Sequence, residues 1–164
     1  MEQPSPYDTV RLSHTFPAPR ARVFQAFTTD TDLARWIWGA DATNTEACFP
    51  AEPGAGFVIE TDNRWEDEQG RPRAGMRGLL VERVEGEKLV YTLRWEADVG
   101  YNRGDQAPLD EVVTVTFQDD ADGCRISYVH HGIPADGLSA THHAQAIQST
   151  FTDLAKLLAT GDMV

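Results

Sequence analysis

The sequence predicts an α+β fold in which one antiparallel sheet is covered on one face by helices. Three observations support this prediction. Short alternating segments follow one another through the middle of the chain, two short helical segments follow the first strand, and a long amphipathic segment ends the chain. Because short connections favour antiparallel pairing, we expect the strands to form a meander. Helices on one face of one sheet give every apolar stripe a packing partner.

The first strand is predicted to end at Phe16, because apolar and polar residues alternate up to that position. Prolines follow, and Pro19 suits the first turn of a helix predicted over residues 20–28. A second short helix is expected to begin at Asp30 or Thr31, either of which can serve as its cap. The chain therefore begins with one strand and two short helices.

From residue 46 to about residue 131 the sequence is typical of strands and turns. The predicted strands are 46–49, 56–62, 76–85, 88–97, 111–119 and 124–130. Glycine, proline and aspartate in the connections favour tight turns. Two longer polar segments, 63–74 and 98–110, are predicted to be surface loops or lids.

The last element is predicted to be a helix over about residues 139–160. Asp136 or Ser139 can cap it, and Gly161 ends it. At 1.5 Å per residue such a helix is roughly 30 Å long, which is the width of a small domain. We expect one domain over residues 8–160, with flexible termini.

A histidine is expected on each of two inward-facing surfaces at this end of the chain. Tyr128 and His130 share the apolar face of the last strand, because side chains alternate with a period of two. His143 is in line with Ile147 and Phe151 at four-residue steps along the helix. The sequence therefore predicts a partly polar hollow between the helix and the sheet.

Composition disfavours several classes of partner. The 164 residues are 41% apolar and 24% charged, which is typical of a soluble globular protein. The formal net charge of −12 would repel nucleic acid and an anionic membrane, so neither is an expected partner of this acidic protein. With no secretory signal visible and no apolar run near the ~20 residues of a membrane span, we expect a cytoplasmic protein. Cys48 and Cys124 are predicted to be free, buried thiols.

A series of short motifs resembles a known family. The motifs are Phe-Pro-Ala-Pro at 16–19, Val-Phe-Gln-Ala-Phe-Thr at 23–28, Leu-Ala-Arg-Trp at 33–36, Pro-Gly-Ala-Gly-Phe at 53–57, Lys-Leu-Val-Tyr-Thr-Leu-Arg-Trp at 88–95 and His-His-Gly-Ile at 130–133. Their order resembles the SRPBCC superfamily (START-like, Bet v allergen-like), in particular the branch named for the activator of the heat-shock-protein-90 ATPase. The resemblance implies a helix-grip fold, with a seven-stranded antiparallel sheet wrapped around a long C-terminal helix. It also implies a cavity between helix and sheet that commonly takes apolar or amphipathic small molecules.

Two positions depart from the pattern of this branch. Ala146-Ile147 stands where the C-terminal helix usually carries Gly-Trp, and Trp36-Ile37-Trp38-Gly39 replaces Trp-Trp-Gly after the second helix. Both segments are expected in the cavity wall, so the ligand preference of relatives is not carried over.

The favoured function is a binding or carrier protein for a small apolar or amphipathic molecule in that cavity, with no cofactor. Aromatic walls with a few polar groups are typical of such pockets, although each ring would also stabilise a core. The candidate ligand-binding residues are Trp36, Trp38, Phe57, Tyr91, Trp95, Tyr128, His130, His143, Ile147 and Phe151.

Two other functions stay open. A cyclase-like or hydratase-like enzyme on the same cavity would use His130 or His143 as general acid or base, although buried histidines satisfied by backbone or water fit the pattern too. A module that modulates a chaperone ATPase is suggested by the name of the branch, and a homodimer is possible. No metal site is expected, because the sequence has no HExxH and no tight Cys/His cluster, and Cys124 could join the two histidines only if helix and strand pack closely.

Overall fold

Seven antiparallel strands and three helices are present in the computed structural model, which describes residues 3–65, 69–96 and 110–161. The elements are β1 (Tyr7–Phe16), α1 (Arg20–Thr28), α2 (Asp30–Trp36), β2 (Glu46–Cys48), β3 (Gly56–Asp62), β4 (Arg73–Val84), β5 (Lys88–Trp95), β6 (Glu111–Asp120), β7 (Gly123–Pro134) and α3 (Ser139–Thr160). The predicted α+β class, with two short helices after the first strand and one long C-terminal helix, is confirmed.

The strands lie in the order β1-β7-β6-β5-β4-β3-β2. Strands β2 to β7 form the predicted meander, and β1 returns to pair with β7 at one edge. This pairing extends both strands beyond their predicted bounds, because Tyr7 pairs with Pro134. The first strand therefore includes a residue that we had assigned to a flexible terminus.

Helix α3 packs against β1 and β7 and meets α2. Its N-cap residue is Leu138, so neither of the predicted cap residues, Asp136 and Ser139, occupies that position. The Asp136 carboxylate still accepts hydrogen bonds from the backbone N–H of Leu138 at 2.9 Å and of Ser139 at 2.7 Å. These bonds, with the one from the Ser139 hydroxyl first, lower the pKa of Asp136 to about 2. The helix ends at Gly161, whose φ of 72° is left-handed.

Five phenylalanines pack edge to face where α1 meets the sheet and α3. This phenylalanine cluster consists of Phe16, Phe24, Phe27, Phe117 and Phe151. Each ring is at most 4% exposed. Beside the cluster, the indole N–H of Trp36 donates to the backbone carbonyl of Ala26 at 2.8 Å. Aromatic rings therefore form much of the apolar contact that α1 and α2 make with the rest of the core.

Two predictions about the periphery need correction. Cys48 is exposed, because it lies on the outward side of the short edge strand β2, whereas Cys124 is buried as predicted. Strand β4 begins at Arg73, so it includes the end of the segment predicted as a polar loop. Two parts of the predicted loops, residues 66–68 and 98–109, lie outside the described residues. So does residue 97, the end of the strand predicted over 88–97. In the described part of the chain, no helix is long and apolar enough to cross a bilayer.

Candidate functional site

A cavity of about 280 Å³ lies between α3, the segment that follows α2, and the inner face of β4, β5 and β7. Its wall includes both segments that depart from the pattern of the resembled branch, namely 36–39 and 146–147. Predicted ligand-binding residues in the wall are Trp36, Trp38, Tyr91, Trp95, Tyr128, His143, Ile147 and Phe151. The predicted hollow between helix and sheet is therefore an open space in this structure.

Phe57 and His130 are not part of the wall. Phe57 packs against the rings of Phe49 and Tyr91, with centroids 5.5 and 5.6 Å away. His130 lies behind His143, with its ring centroid 4.1 Å from that of His143. The period-two pattern assigned His130 to the inner face of the sheet, and Phe57 was selected as a large aromatic ring, but the cavity occupies only part of that face.

Two indoles in the wall are buried donors. Trp38 is 7% exposed and Trp95 is 9% exposed, and their rings meet edge to face at 5.5 Å. Neither indole N–H has a hydrogen-bond partner among residues 3–65, 69–96 and 110–161. A buried donor left unsatisfied costs about 1–3 kcal/mol, which an acceptor atom placed in the cavity would offset.

Two charged residues, Arg64 and Asp41, lie at one side of the cavity. Arg64 forms an ion pair with Asp41 at 2.9 Å and donates to the backbone carbonyl of Trp38 at 2.6 Å. Its guanidinium lies 4.7 Å from the ring centroid of Trp65, which also belongs to the wall. Arg64 therefore ties the segment after α2 to the segment after β3. Trp65 lies in the segment predicted as a surface loop or lid, whereas neither Arg64 nor Asp41 is among the predicted site residues.

Behind the wall lies a buried polar chain, formed by Glu111, His130 and His143. The Glu111 carboxylate is 2.7 Å from Nε2 of His130, and Nδ1 of His130 is 2.7 Å from Nε2 of His143. The hydroxyl of Tyr128 lies 2.9 Å from the same Nδ1. All three residues of the chain are at most 1% exposed. Only Tyr128 and His143 reach the cavity wall, so they connect the chain to any bound molecule.

The topology explains why these side chains meet. Glu111 begins β6 and has the same inward phase as Val113 and Val115, and β6 pairs with the strand that carries His130. His143 follows one turn after the start of α3, which lies over β7. Glu111 was missed by sequence reasoning, although the alternation along β6 was a signal that it faces inward.

Burial determines the protonation of the two imidazoles. It lowers the pKa of His130 to about 3, and nearby His131 acts in the same direction. Burial and then His130 lower the pKa of His143 to about 3, against a smaller opposite effect of Glu111. Both rings are therefore neutral at pH 7, and each has one donor and one acceptor nitrogen. With Glu111 ionised, Nε2–H of His130 donates to the carboxylate, and the single lone pair of Nδ1 faces both the hydroxyl of Tyr128 and Nε2 of His143.

The same donors can be considered as metal ligands, since one ligand atom from each lies within 4.8 Å of the others. Glu111 contacts one nitrogen of the His130 ring and His143 contacts the other. An ion about 2.0–2.1 Å from one of these nitrogens would then be too far from the ligand on the opposite edge of the ring. The present arrangement favours a hydrogen-bonded chain. Helix and strand do pack closely enough to join the two histidines, but the third member is Glu111 and not Cys124.

Comparisons with known proteins agree with this architecture. A crystal structure of a protein from Chromobacterium violaceum is 25% identical, with a TM-score of 0.70 over 92% of this chain and 96% of that chain. A protein from Rhodobacter sphaeroides, 15% identical, has a TM-score of 0.74 over 93% of this chain and 92% of that chain. The solution structure of an AHSA1-like protein from Aeromonas hydrophila, 13% identical, has a TM-score of 0.69 over 94% of each chain. No curated protein matches the sequence.

The family model described as "Activator of Hsp90 ATPase homolog 1-like protein" matches residues 17–159, which is most of the chain. This match confirms the resemblance inferred from the motifs at 16–19, 23–28 and 33–36. The chain belongs to the family of activator of Hsp90 ATPase homolog 1-like proteins.

Proposed function

We propose that this protein binds a small, largely aromatic molecule that carries a hydrogen-bond acceptor, in the cavity between α3 and the sheet. The observation that carries the proposal is the pair of buried indole N–H groups of Trp38 and Trp95 in a wall that is mainly aromatic and apolar, with Tyr128 and His143 as further polar groups. An apolar wall with a few fixed donors is the usual composition of a small-molecule site, because burial supplies affinity and the donors supply orientation.

The size of the cavity limits the ligand. At about 280 Å³, the cavity lies at the lower end of the range of ligand pockets, which is about 300–1,000 Å³. A compound of one or two fused aromatic rings suits a cavity of this size.

The wall also favours flat ligands. Trp38 meets Trp65 at 5.4 Å and Trp95 at 5.5 Å between ring centroids, so three indoles surround one part of the space. Aromatic pairs prefer offset or edge-to-face contacts with centroids about 4.5–7 Å apart, and a ring placed among these indoles can form them. A carbonyl oxygen on that ring would accept from the indole N–H groups.

Calorimetric titration with acetonaphthone and ethylnaphthalene tests this proposal, because the two compounds differ mainly in one carbonyl group. We expect acetonaphthone to bind at least about fivefold more tightly, which corresponds to one net hydrogen bond of about 1 kcal/mol. Trp38→Phe and Trp95→Phe should each reduce that preference, because they keep a ring and remove the donor.

Trp36→Phe is the matched control. Trp36 also belongs to the wall, but its N–H is already bonded to the Ala26 carbonyl. The control should lower stability and leave the preference for the carbonyl compound unchanged. Equal binding of the two compounds would contradict the role of the indole donors, and binding of neither would contradict the proposed function as a whole.

A further inference from the structure

The buried polar chain extends behind the cavity wall, which ligand binding alone does not require. Glu111 and His130 lie outside the cavity wall, and both are almost fully buried. A buried carboxylate is expensive, and a well-packed apolar pair in its place is often equally stable or more stable. Buried titratable groups joined to a pocket are candidates for proton chemistry. The chain is connected to the cavity at His143 and, through its hydroxyl bond to His130, at Tyr128.

We infer that Glu111, His130 and His143 form a proton relay that removes the proton from an acidic hydroxyl group of an aromatic ligand and keeps that ligand as its anion. This inference rests on the proposed function, since the ligand must first occupy the cavity. His143 is the catalytic residue, because it belongs to the wall. His130 and Glu111 act through it.

The proton transfers balance without any other reactant. The O–H bond of the ligand breaks, its electron pair stays on the oxygen, and the proton binds the ring nitrogen of His143 that does not contact His130. The proton on Nε2 of His143 moves to Nδ1 of His130, across 2.7 Å. The proton on Nε2 of His130 moves to the Glu111 carboxylate, also across 2.7 Å. Both imidazoles end neutral, and the negative charge has moved from Glu111 to the ligand.

This balance explains why the relay needs its carboxylate. Burial holds the pKa of His143 at about 3, so an isolated His143 would accept a proton poorly. When the proton continues to Glu111, no imidazolium is left in the interior and no new buried charge is created. The resulting ligand anion would lie near Trp95, whose ring centroid is 6.2 Å from that of His143. Its buried indole N–H can donate to the oxyanion.

Para-nitrophenol and para-nitroanisole test the relay as a matched pair, because only the phenol has the acidic proton. The titrations are performed about one pH unit below the pKa of the free phenol. Absorbance then reports the bound phenolate, and calorimetry reports the binding of both compounds. We expect para-nitrophenol to bind wild-type protein mainly as phenolate. Glu111→Gln should lower the ratio of bound phenolate to bound phenol at least tenfold, because glutamine accepts no proton.

Para-nitroanisole distinguishes the possible failures. If wild-type protein binds both compounds and no phenolate forms, the relay is contradicted and the proposed function stands. Binding of neither compound contradicts both. A phenolate band of full intensity in Glu111→Gln also overturns the relay. His143→Gln supplies the same comparison if Glu111→Gln does not fold, and retained binding of para-nitroanisole reports that the cavity of either variant is intact.

Discussion

The two halves of α3 cover two different kinds of interior. Its C-terminal half places Phe151 and Leu154 against the sheet, where Phe151 completes the phenylalanine cluster and forms the boundary with the cavity wall. Its N-terminal half places His143 over the buried polar chain and beside an open cavity. Within the described residues, the first region is filled with rings and the second leaves two indole N–H groups unsatisfied. One helix therefore stabilises the fold at one end and frames a candidate site at the other.

The largest expected effect lies in the filled region. Phe16 is fully buried, contacts Phe27 and Phe151, and is not part of the cavity wall. Phe16→Ala should lower the free energy of unfolding by about 3–5 kcal/mol, measured by urea denaturation. Ile147→Ala is the comparison in the open region, where removed methylenes enlarge a space that already exists. A cost for Ile147→Ala as large as that for Phe16→Ala would contradict the distinction between the regions.

The next largest effect concerns the buried polar chain. His130→Phe removes the donor that lies 2.7 Å from the Glu111 carboxylate and should destabilise the protein by about 3 kcal/mol. The double variant Glu111→Leu/His130→Phe should recover much of this loss, because no carboxylate then needs a partner. Urea denaturation of the single and double variants forms a double-mutant cycle. Additive losses would mean that the two side chains are not coupled.

The pH dependence of stability follows from the same chain. The pKa values of His130 and His143 are about 3 in the folded protein, well below the ordinary histidine value of 6.5. The unfolded chain therefore binds more protons between these limits, and stability is lost as the pH falls from about 6.5 towards 3. Both residues contribute to this loss, because each must bind a proton that its buried folded-state position disfavours. A stability profile that is flat between pH 7 and pH 5 would contradict the burial of neutral imidazoles.

The smallest effect is expected at the start of α3. Asp136→Asn removes the carboxylate that accepts from Leu138 and Ser139, and it should increase hydrogen exchange in the first turn of the helix. Because His143 follows within that end of α3, para-nitroanisole affinity should fall slightly, while the phenylalanine cluster remains protected. Equal loss of protection along the whole helix would mean that its two halves do not behave separately.

The sequence was sufficient for the fold because local signals agreed with one another. Alternation located the strands, Pro19 and Gly161 marked helix boundaries, and the four-residue steps from His143 to Phe151 identified the inner face of α3. The ends of the strands were less predictable. The extension of β7 to Pro134 depends on pairing with β1, which is distant in the chain.

The site was predictable as a set of inward-facing residues and not as a geometry. Aromatic character selected Phe57 together with Tyr91, yet of these two only Tyr91 reaches the cavity, because the volume left between helix and sheet depends on packing. Glu111 was overlooked because a carboxylate at the start of a strand normally lies near solvent. Its neighbours in space, His130 and His143, come from two later elements, and no local pattern connects all three.

The most direct test of the unfilled cavity is a nitrogen–proton correlation spectrum of the four tryptophan indoles before and after addition of acetonaphthone. We predict that the indole N–H signals of Trp38 and Trp95 move downfield as they gain an acceptor. The signal of Trp36 should stay in place, because its bond to the Ala26 carbonyl is already formed. Unchanged Trp38 and Trp95 signals at saturating ligand, or an equal shift of the Trp36 signal, would contradict a binding site built on these two donors.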